Sequence, residues 1–215
     1  MGLEEALTRG CEPLGVALSS AQRGLLLDYL AQLNKWNSAI NLTAIRDPHE
    51  QLAAHLLDCL AIVPVLEPQL TKGAVVLDVG SGGGLPGVVL AIMAPDIEVH
   101  CVDAVAKKTA FITQVRGALR LTNLHAHHSR VESLQPERDL PAPTLIVARA
   151  FSTLAQLIAL TQNLLSPQGR WAAMKGVRPD EELSALPPSI KTLAVDRLIV
   201  PGLAAERHLV QLAKA

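Results

Sequence analysis

The segment that decides the fold is Asp78-Val79-Gly80-Ser81-Gly82-Gly83-Gly84-Leu85-Pro86-Gly87. A short apolar run, Val75 to Val79, leads into it and predicts a buried strand, and the stretch from Gly87 to Ala94 predicts a helix after it. Glycines allow positive φ and let a ligand lie against bare backbone. Because five glycines in eight residues would cost a plain turn needless conformational entropy, we predict a ligand-binding loop.

Two cofactor classes compete for this loop. Residues Gly82 to Gly87 satisfy the dinucleotide pattern GxGxxG. Asp78, two residues before Gly80, instead gives DxGxG directly after the strand, and a carboxylate there suits the ammonium group of S-adenosylmethionine. Pro86 has no N–H to offer a pyrophosphate at the start of the helix, so the loop favours S-adenosylmethionine over a nicotinamide dinucleotide. The predicted cofactor-binding residues of the loop are Asp78, Gly80, Gly82 and Leu85.

Acidic side chains also follow the next two predicted strands. Asp103 could accept hydrogen bonds from ribose hydroxyls, and a plain helix N-cap is the competing interpretation. After the third strand, Glu132 could accept from an adenine amino group while Val131 packs on the ring, and a purely structural role is equally open. All three residues therefore join the predicted cofactor site.

Outside the loop, strand-like and helix-like segments alternate. The predicted strands are Val75–Val79, Ile97–Val102, Leu124–His127, Leu145–Ala148, Trp171–Met174, Thr192–Val200 and His208–Leu212, and the predicted helices between them are Gly87–Ala94, Lys107–Leu119 and Leu154–Leu165. Such alternation predicts an α/β fold with a mostly parallel, doubly wound sheet. The turn at Pro201-Gly202 is too short for a parallel crossover, so one of the last two strands must be antiparallel. A Rossmann-like, seven-stranded sheet with one antiparallel strand is the layout of class I S-adenosylmethionine-dependent methyltransferases.

The start of the chain has a helical rather than a strand-like period. Apolar residues recur at helical spacing from about Ser20 to Asn37, and Asp47-Pro48 supplies a cap and a first-turn proline for the next helix. We therefore predict an N-terminal helical extension, residues 1–65, packed on a methyltransferase domain, residues 66–215.

Composition limits the class of protein and its surroundings. The 215 residues are 49% hydrophobic and 18% charged, which argues against disorder. The formal net charge is -1, so any nucleic-acid contact must come from local basic clusters. The acidic segment Met1–Glu5 is unlike a signal peptide, and the longest strongly apolar stretch, Val88 to Ala94, is far below the roughly 20 residues of a membrane span. We expect a monomeric cytoplasmic protein without a membrane segment.

No metal site is expected. The three cysteines are widely spaced and form no CxxC pair. No Cys, Asp or Glu joins the tract His125-Ala126-His127-His128 at ligand spacing. His55 and Asp58 share a predicted helix face at i, i+3 spacing, where a structural pair is favoured over catalysis.

Many short motifs, in order from about residue 20 to the C-terminus, match one family. They are Lys35-Trp36-Asn37, Asn41-Leu42-Thr43, Arg46-Asp47-Pro48, His55-Leu56-Leu57-Asp58, the glycine loop with Leu85-Pro86-Gly87, Ser129-Arg130-Val131-Glu132, Arg149-Ala150-Phe151, Lys175-Gly176 and Glu206-Arg207-His208-Leu209-Val210. Together they resemble the 16S ribosomal RNA guanine-N7 methyltransferase family, once called glucose-inhibited division protein B. Cys59 and Gly83 depart from the family pattern without altering the inferred chemistry.

The resemblance implies a bacterial cytoplasmic enzyme that transfers the methyl group of S-adenosylmethionine to N7 of one guanine in the decoding-region loop of 16S rRNA, free or in the small subunit. It implies cofactor contacts from Gly80, Leu85, Val131, Glu132 and Arg149, with Asp103 on the ribose. Arg149 follows the fourth strand and is the one catalytic candidate.

RNA phosphates require cations, and eight basic residues are candidates. They are Arg46, Lys107, Lys108, Arg116, Arg130, Lys175, Arg178 and Arg207. Three alternatives stay open beside methylation of RNA: methylation of a small molecule or protein, a nicotinamide oxidoreductase, and an RNA-binding module that holds the cofactor without turnover.

Overall fold

A computed structural model describes residues 1–215 and contains one seven-stranded sheet with helices on both faces. The strands are β1 (Val75–Val79), β2 (Glu98–Asp103), β3 (Leu124–His128), β4 (Leu145–Arg149), β5 (Arg170–Lys175), β6 (Ile190–Leu198) and β7 (Arg207–Lys214). Their order is β3-β2-β1-β4-β5-β7-β6, and only β7 runs against its neighbours. The predicted α/β sheet with one antiparallel strand is therefore confirmed.

The helices precede the sheet or connect its strands. The α-helices are α1 (Leu3–Cys11), α2 (Ser20–Ile40), α3 (Pro48–Gln51), α4 (Asp58–Leu60), α5 (Val63–Leu66), α6 (Gly87–Met93), α7 (Ala106–Ala118), α8 (Leu154–Thr161) and α9 (Asp180–Ser184). A π-helical segment spans Leu52–Leu57, and 3₁₀ turns span Glu12–Leu14, Glu67–Gln69 and Val131–Ser133. The helix α8 ends four residues before the predicted Leu165.

The sheet separates two apolar cores, because successive side chains of a strand point to opposite faces. Val76 of β1 belongs to the larger core, which also contains residues of α1, α2, α6 and α7, whereas its neighbour Leu77 belongs to the smaller core under α8. Trp171, the largest side chain of the smaller core, is fully buried and donates its Nε1–H to Thr161 Oγ1 at 2.8 Å. Both faces of the sheet are thus covered, as in other mostly parallel sheets.

The helices before β1 pack on the same face of the sheet as α6 and α7. Ser19 and Gln22 form a capping box at the start of α2, and Asp47 accepts hydrogen bonds from the backbone N–H groups of His49 and Glu50, as predicted for an N-cap. Tyr29 of α2 is fully buried and donates its hydroxyl to the carbonyl of Gly83 at 2.8 Å. This contact ties the N-terminal helices directly to the glycine loop, while the division of the chain at residue 65 stays a prediction.

The segment Pro48–Gln69 is the longest apolar helical stretch, much longer than the predicted apolar run from Val88 to Ala94. Its length and hydropathy meet the requirement for crossing a membrane, but 67% of the relevant window is buried inside the protein. A core helix of a folded domain has these same properties, and here Leu52, Leu56, Leu60 and Leu66 of the segment belong to the larger core.

Candidate active site

Two clefts open at the carboxyl ends of the parallel strands. The first, the glycine-loop cleft, has a volume of about 490 Å³, and its lining includes Asp58, Gly80, Gly82, Leu85, Arg149, Lys175 and Arg207. The second, the Asp103 cleft, has a volume of about 430 Å³, and its lining includes Gly80, Asp103, Lys108, Arg130, Val131, Glu132 and Phe151. Gly80 and Ala150 line both, so the two clefts meet at the end of β1.

Gly80 stands at the junction of the clefts in a conformation that favours glycine. Its φ is +68°, and a Cβ built there would collide with the ring of Phe151. The loop therefore presents bare backbone where the clefts join, as the sequence predicts.

Asp78 lies beneath the loop rather than in either cleft. Its side chain is fully buried, and Oδ2 accepts a hydrogen bond of 2.8 Å from the backbone N–H of Gly87, the first residue of α6. The other oxygen, Oδ1, is buried without a hydrogen-bond partner. The start of α6 is thus occupied by the protein's own carboxylate, which removes an N–H that a pyrophosphate would use.

Burial raises the pKa of Asp78 to about 7, although the N–H of Gly87 acts in the opposite direction. A carboxyl group with a raised pKa in the folded state stabilises the protein below its unfolded pKa, and that contribution is lost as pH rises towards 7. Asp78→Asn cannot lose stability in this way, because its amide does not ionise. We therefore expect the free energy of unfolding of the variant, measured relative to that of wild type, to rise by about 2 to 3 kcal/mol between pH 5 and pH 8.

Urea unfolding at several pH values measures this difference. Asp28→Asn, at an exposed position of α2, is the control and should track wild type throughout. A constant difference between Asp78→Asn and wild type across this range would show that the carboxyl group ionises normally.

Asp103 holds the glycine loop from the neighbouring strand. Its Oδ2 accepts from the backbone N–H of Gly82 at 3.0 Å, and its Oδ1 accepts from the N–H of Val105 at 2.9 Å. Lys108 Nζ lies 3.5 Å from Oδ2. Only 7% of Asp103 is exposed, but the Asp103 cleft reaches it, so this side chain shapes the loop and also faces any ligand there.

The other predicted residues of the Asp103 cleft follow β3. Val131 is buried and begins a 3₁₀ turn, whereas Glu132 is exposed and its Oε1 lies 3.8 Å from Arg130 Nη1. An apolar side chain beside an exposed carboxylate is a suitable lining for the flat face and the amino edge of a purine.

A buried carboxylate joins two arginines in the glycine-loop cleft. Arg149 Nη1 donates to Asp58 Oδ2 at 3.2 Å and to the carbonyl of Ala54 at 2.9 Å, and Arg207 Nε donates to Asp58 Oδ1 at 2.9 Å. The Asp58 side chain is 2% exposed and each arginine side chain 23% exposed. The next residue, Ala150, has a φ of +52°, which is a strained value for alanine. The side chains on either side of it line different clefts, Arg149 the glycine-loop cleft and Phe151 the Asp103 cleft.

The expected pairing of His55 with Asp58 is wrong. His55 Nε2 instead lies 2.9 Å from Thr43 Oγ1, and Asp58 is taken up by the two arginines. The reason is the π-helical segment Leu52–Leu57, which changes the residue spacing between these positions. Burial lowers the pKa of His55, so its ring is neutral near pH 7.

The eight basic candidates fall into two groups. Four line the clefts: Lys175 and Arg207 the first, Lys108 and Arg130 the second. Lys175 is committed to Glu182, with Nζ 2.9 Å from each carboxylate oxygen. The other four are exposed and line neither cleft: Arg46, Lys107, Arg116 and Arg178.

Sequence reasoning missed Asp58 as the bridge and Phe151 as the neighbour of Gly80. Asp58 lies 91 residues from Arg149 and 149 from Arg207. The only available signal for either residue was its place in a family motif, because no spacing rule joins positions so distant in sequence.

Comparisons with known proteins identify methyltransferases as relatives of this chain. The profile of the GidB family, described as rRNA small subunit methyltransferase G, matches residues 22–210. The ribosomal RNA small subunit methyltransferase G of Acidovorax ebreus is 50% identical over 98% of this chain and 95% of that protein.

Solved structures show the fold. The structure of an S-adenosylmethionine-dependent methyltransferase from Aquifex aeolicus matches with a TM-score of 0.58 at 17% identity. The match covers 80% of this chain and 96% of the Aquifex chain. A second, from Thiobacillus denitrificans in complex with S-adenosyl-L-homocysteine, has a TM-score of 0.56 at 13% identity and covers 74% of this chain and 91% of its own.

Proposed function

The chain belongs to the rRNA small subunit methyltransferase G family, and on that premise we propose that it methylates N7 of one guanine in the decoding-region loop of bacterial 16S rRNA. S-adenosylmethionine is the methyl donor, as for the family. The substrate is ribosomal RNA, either free or within the small subunit. We infer that the protein acts as a monomer in the cytoplasm.

The residues of the two clefts fit S-adenosylmethionine. Any side chain at position 80 would occupy the space beside the Gly80 backbone, where the two clefts meet. Asp103 and Glu132 offer carboxylates to a nucleoside, and Val131 offers an apolar surface. We assign the nucleoside to the Asp103 cleft and the amino-acid end to the glycine-loop cleft beside Leu85 and Arg149. The cofactor supplies an electrophilic methyl group on a sulfonium.

One observation carries the choice of N7: the glycine-loop cleft contains no free base. Its titratable side chains are Asp58, Arg149, Lys175 and Arg207, and every one of them is held in an ion pair. Guanine N7 has an in-plane lone pair and no proton, so methyl transfer to it needs no proton acceptor. Methylation of a hydroxyl would need one. What the protein must provide is orientation and the exclusion of water.

The target guanine must reach this cleft from an accessible RNA segment. N7 faces the major groove, which in A-form RNA is too deep and narrow for side chains, so the base must come from a loop or be splayed out. Displacing a base costs a few kcal/mol, which stacking and phosphate contacts must offset. We propose that the basic candidates near the clefts supply the phosphate contacts.

These basic candidates differ in their exposure to solvent and in the polar contacts that they already make within the protein. Arg130 and Lys107 are exposed, and Arg46 makes only a weak contact of 3.3 Å to Asn41 Oδ1. Lys175 would have to leave Glu182 first. We therefore rank Arg130 first as a phosphate ligand, because it is exposed and lines a cleft, and place Lys107 and Arg46, which are exposed outside both clefts, after it.

Mapping methylated guanines in 16S rRNA, with and without the protein, tests the proposal directly. RNA that lacks the modification should gain one N7-methylguanine in the decoding region, and RNA that already carries it should gain none. Equal labelling of both, or labelling at another atom, would contradict the proposed N7 specificity. Transfer to a small molecule or protein with no transfer to RNA would support the alternative methyl acceptors.

Arg149→Ala should lower turnover by about 10²-fold without unfolding the protein, because the arginine orients groups in the cleft where transfer occurs. Single-turnover methylation of RNA measures the rate, and circular dichroism reports folding. Lys191→Ala, which removes an exposed cation of β6 that lies outside both clefts and is not a predicted RNA ligand, is the control and should keep nearly full activity. Normal turnover by Arg149→Ala would remove this residue from the site.

A further inference from the structure

Four side chains that the proposed function does not use meet at the edge of the sheet. They are Glu98 and His100 of β2 and His125 and His127 of β3, and we call them the edge-histidine cluster. The two strands run parallel, with His100 in register with His125. Residues two apart in a strand share a face, so the pattern on each strand brings the four side chains to one side. None of them lines either cleft.

Potential ligand atoms converge in this cluster. One nitrogen or oxygen from each of Glu98, His100 and His125 lies within 4.8 Å of the other two. The rings of His100 and His125 stack at a centroid distance of 4.7 Å, so a shared ion requires the partly exposed His125 ring to turn until its plane contains the ion. His127 Nε2 lies 2.9 Å from His100 Nδ1. His127 thus fixes the orientation of the His100 ring, the role that a second-shell partner has for a metal-bound histidine.

His100 Nε2 lacks a hydrogen-bond partner. His100 is 5% exposed, its Nε2 is buried, and the carboxylate oxygen Oε2 of Glu98 lies 3.5 Å from Nε2. If His100 Nδ1 donates to His127, then the lone pair of Nε2 faces the Glu98 carboxylate and two acceptors oppose each other. A cation between them would satisfy both.

Metal ions bind neutral imidazole, which offers the lone pair of a ring nitrogen. The other charged groups acting on the cluster are Arg116, towards His125, and Asp139, towards His127.

Contrary to the expectation from the sequence, which had no acidic ligand near the histidine tract, we propose from this geometry that the edge-histidine cluster is a Zn²⁺ site. Glu98, His100 and His125 are the protein ligands, and water completes the coordination at the exposed side. Two imidazoles and a carboxylate are a ligand set that zinc accepts, whereas Mg²⁺ prefers oxygen ligands alone. The ion would cross-link β2 to the edge strand β3, which leads directly into the Val131 segment of the Asp103 cleft. The site is separate from methyl transfer and does not depend on the proposed function.

Calorimetric titration of the metal-depleted full-length protein with Zn²⁺ tests the proposal. Wild type should bind one equivalent, and His125→Ala should bind at least tenfold more weakly. Glu98→Gln, at an exposed position that should not disturb folding, should also weaken binding. His128→Ala is the matched control: it lies in the same histidine tract, but its Nε2 contacts the carbonyl of Ala104, so its affinity should equal that of wild type.

Co²⁺ absorption identifies the ligands in the same proteins. The expected spectrum shows nitrogen and oxygen coordination without a thiolate-to-cobalt charge-transfer band. The proposal is overturned by wild type without a stoichiometric Zn²⁺ site, by His125→Ala and His128→Ala binding equally, or by a thiolate band, since the buried cysteines would then be the ligands. Binding of Mg²⁺ as tightly as Zn²⁺ would also overturn it.

Discussion

Gly80→Asp is expected to abolish binding of S-adenosylmethionine, with no measurable heat in a calorimetric titration. Two effects add. The φ of +68° at Gly80 is costly for any residue with a Cβ, and that Cβ would collide with the ring of Phe151 where the two clefts meet. Relief of the collision would push the backbone or the ring into a cleft that the cofactor needs.

Gly15→Asp separates the effect on the site from the cost of the backbone conformation. Gly15 has the same φ of +68°, but a Cβ there meets nothing within 4 Å. Both variants should lose stability on urea unfolding, and only Gly80→Asp should lose the cofactor. Binding by Gly80→Asp with wild-type affinity would show that the pocket lies elsewhere.

The number of strands and the mostly parallel direction of the sheet were predictable because they depend on local pattern. Apolar runs of four to six residues between glycine-rich turns and amphipathic stretches specify a parallel sheet, and the short turn near Pro201 requires the antiparallel strand. The bounds moved by a few residues at most in the strands. At α8 the prediction was longer than the helix, because buried Leu164 and Leu165 continue the apolar run beyond the last helical turn.

The glycine loop and its acidic neighbours were also found from sequence, but their contacts were not. Asp78 was expected beside the cofactor. Its carboxylate instead lies beneath the loop and accepts a hydrogen bond from the backbone N–H of Gly87. The reason is alternation along β1: Asp78 shares the face of Val76, which the larger core and α6 cover, so its side chain lines neither cleft. A motif identifies which residues belong to a site without specifying which way each points.

Long-range polar contacts were beyond sequence reasoning. The i, i+3 rule suggested a partner for Asp58 on its own helix, but tertiary structure supplied two arginines from β4 and β7 instead. The edge-histidine cluster has the same origin, since its ligands come from two strands that are adjacent only in the folded sheet. Such contacts follow from sheet register, which the sequence constrains only through its hydrophobic pattern.

Asp58→Ala should cause the second large loss, because one carboxylate holds both arginines of the glycine-loop cleft. Removing it leaves Arg149 and Arg207 facing each other without a counter-charge, which should cost roughly 3 kcal/mol, near the lower end for a buried pair because both arginines are partly exposed. With both side chains displaced, turnover should fall by about 10³-fold, more than for Arg149→Ala alone. Urea unfolding and single-turnover methylation measure the two effects.

Asp58→Asn distinguishes charge from shape. The amide keeps one acceptor oxygen, so it can hold one arginine but not both, and we expect intermediate turnover with near-normal folding. Asp139→Ala is the control for loss of an ion pair, since Asp139 pairs with Arg138 at 2.7 Å on the surface, where solvent screens the charges and little stability is lost. If Asp58→Ala and Asp139→Ala proved equally active and equally stable, the ion pairs of Asp58 with Arg149 and Arg207 would contribute neither to turnover nor to stability. The orientation of Arg149 would then have to come from the carbonyl of Ala54 alone.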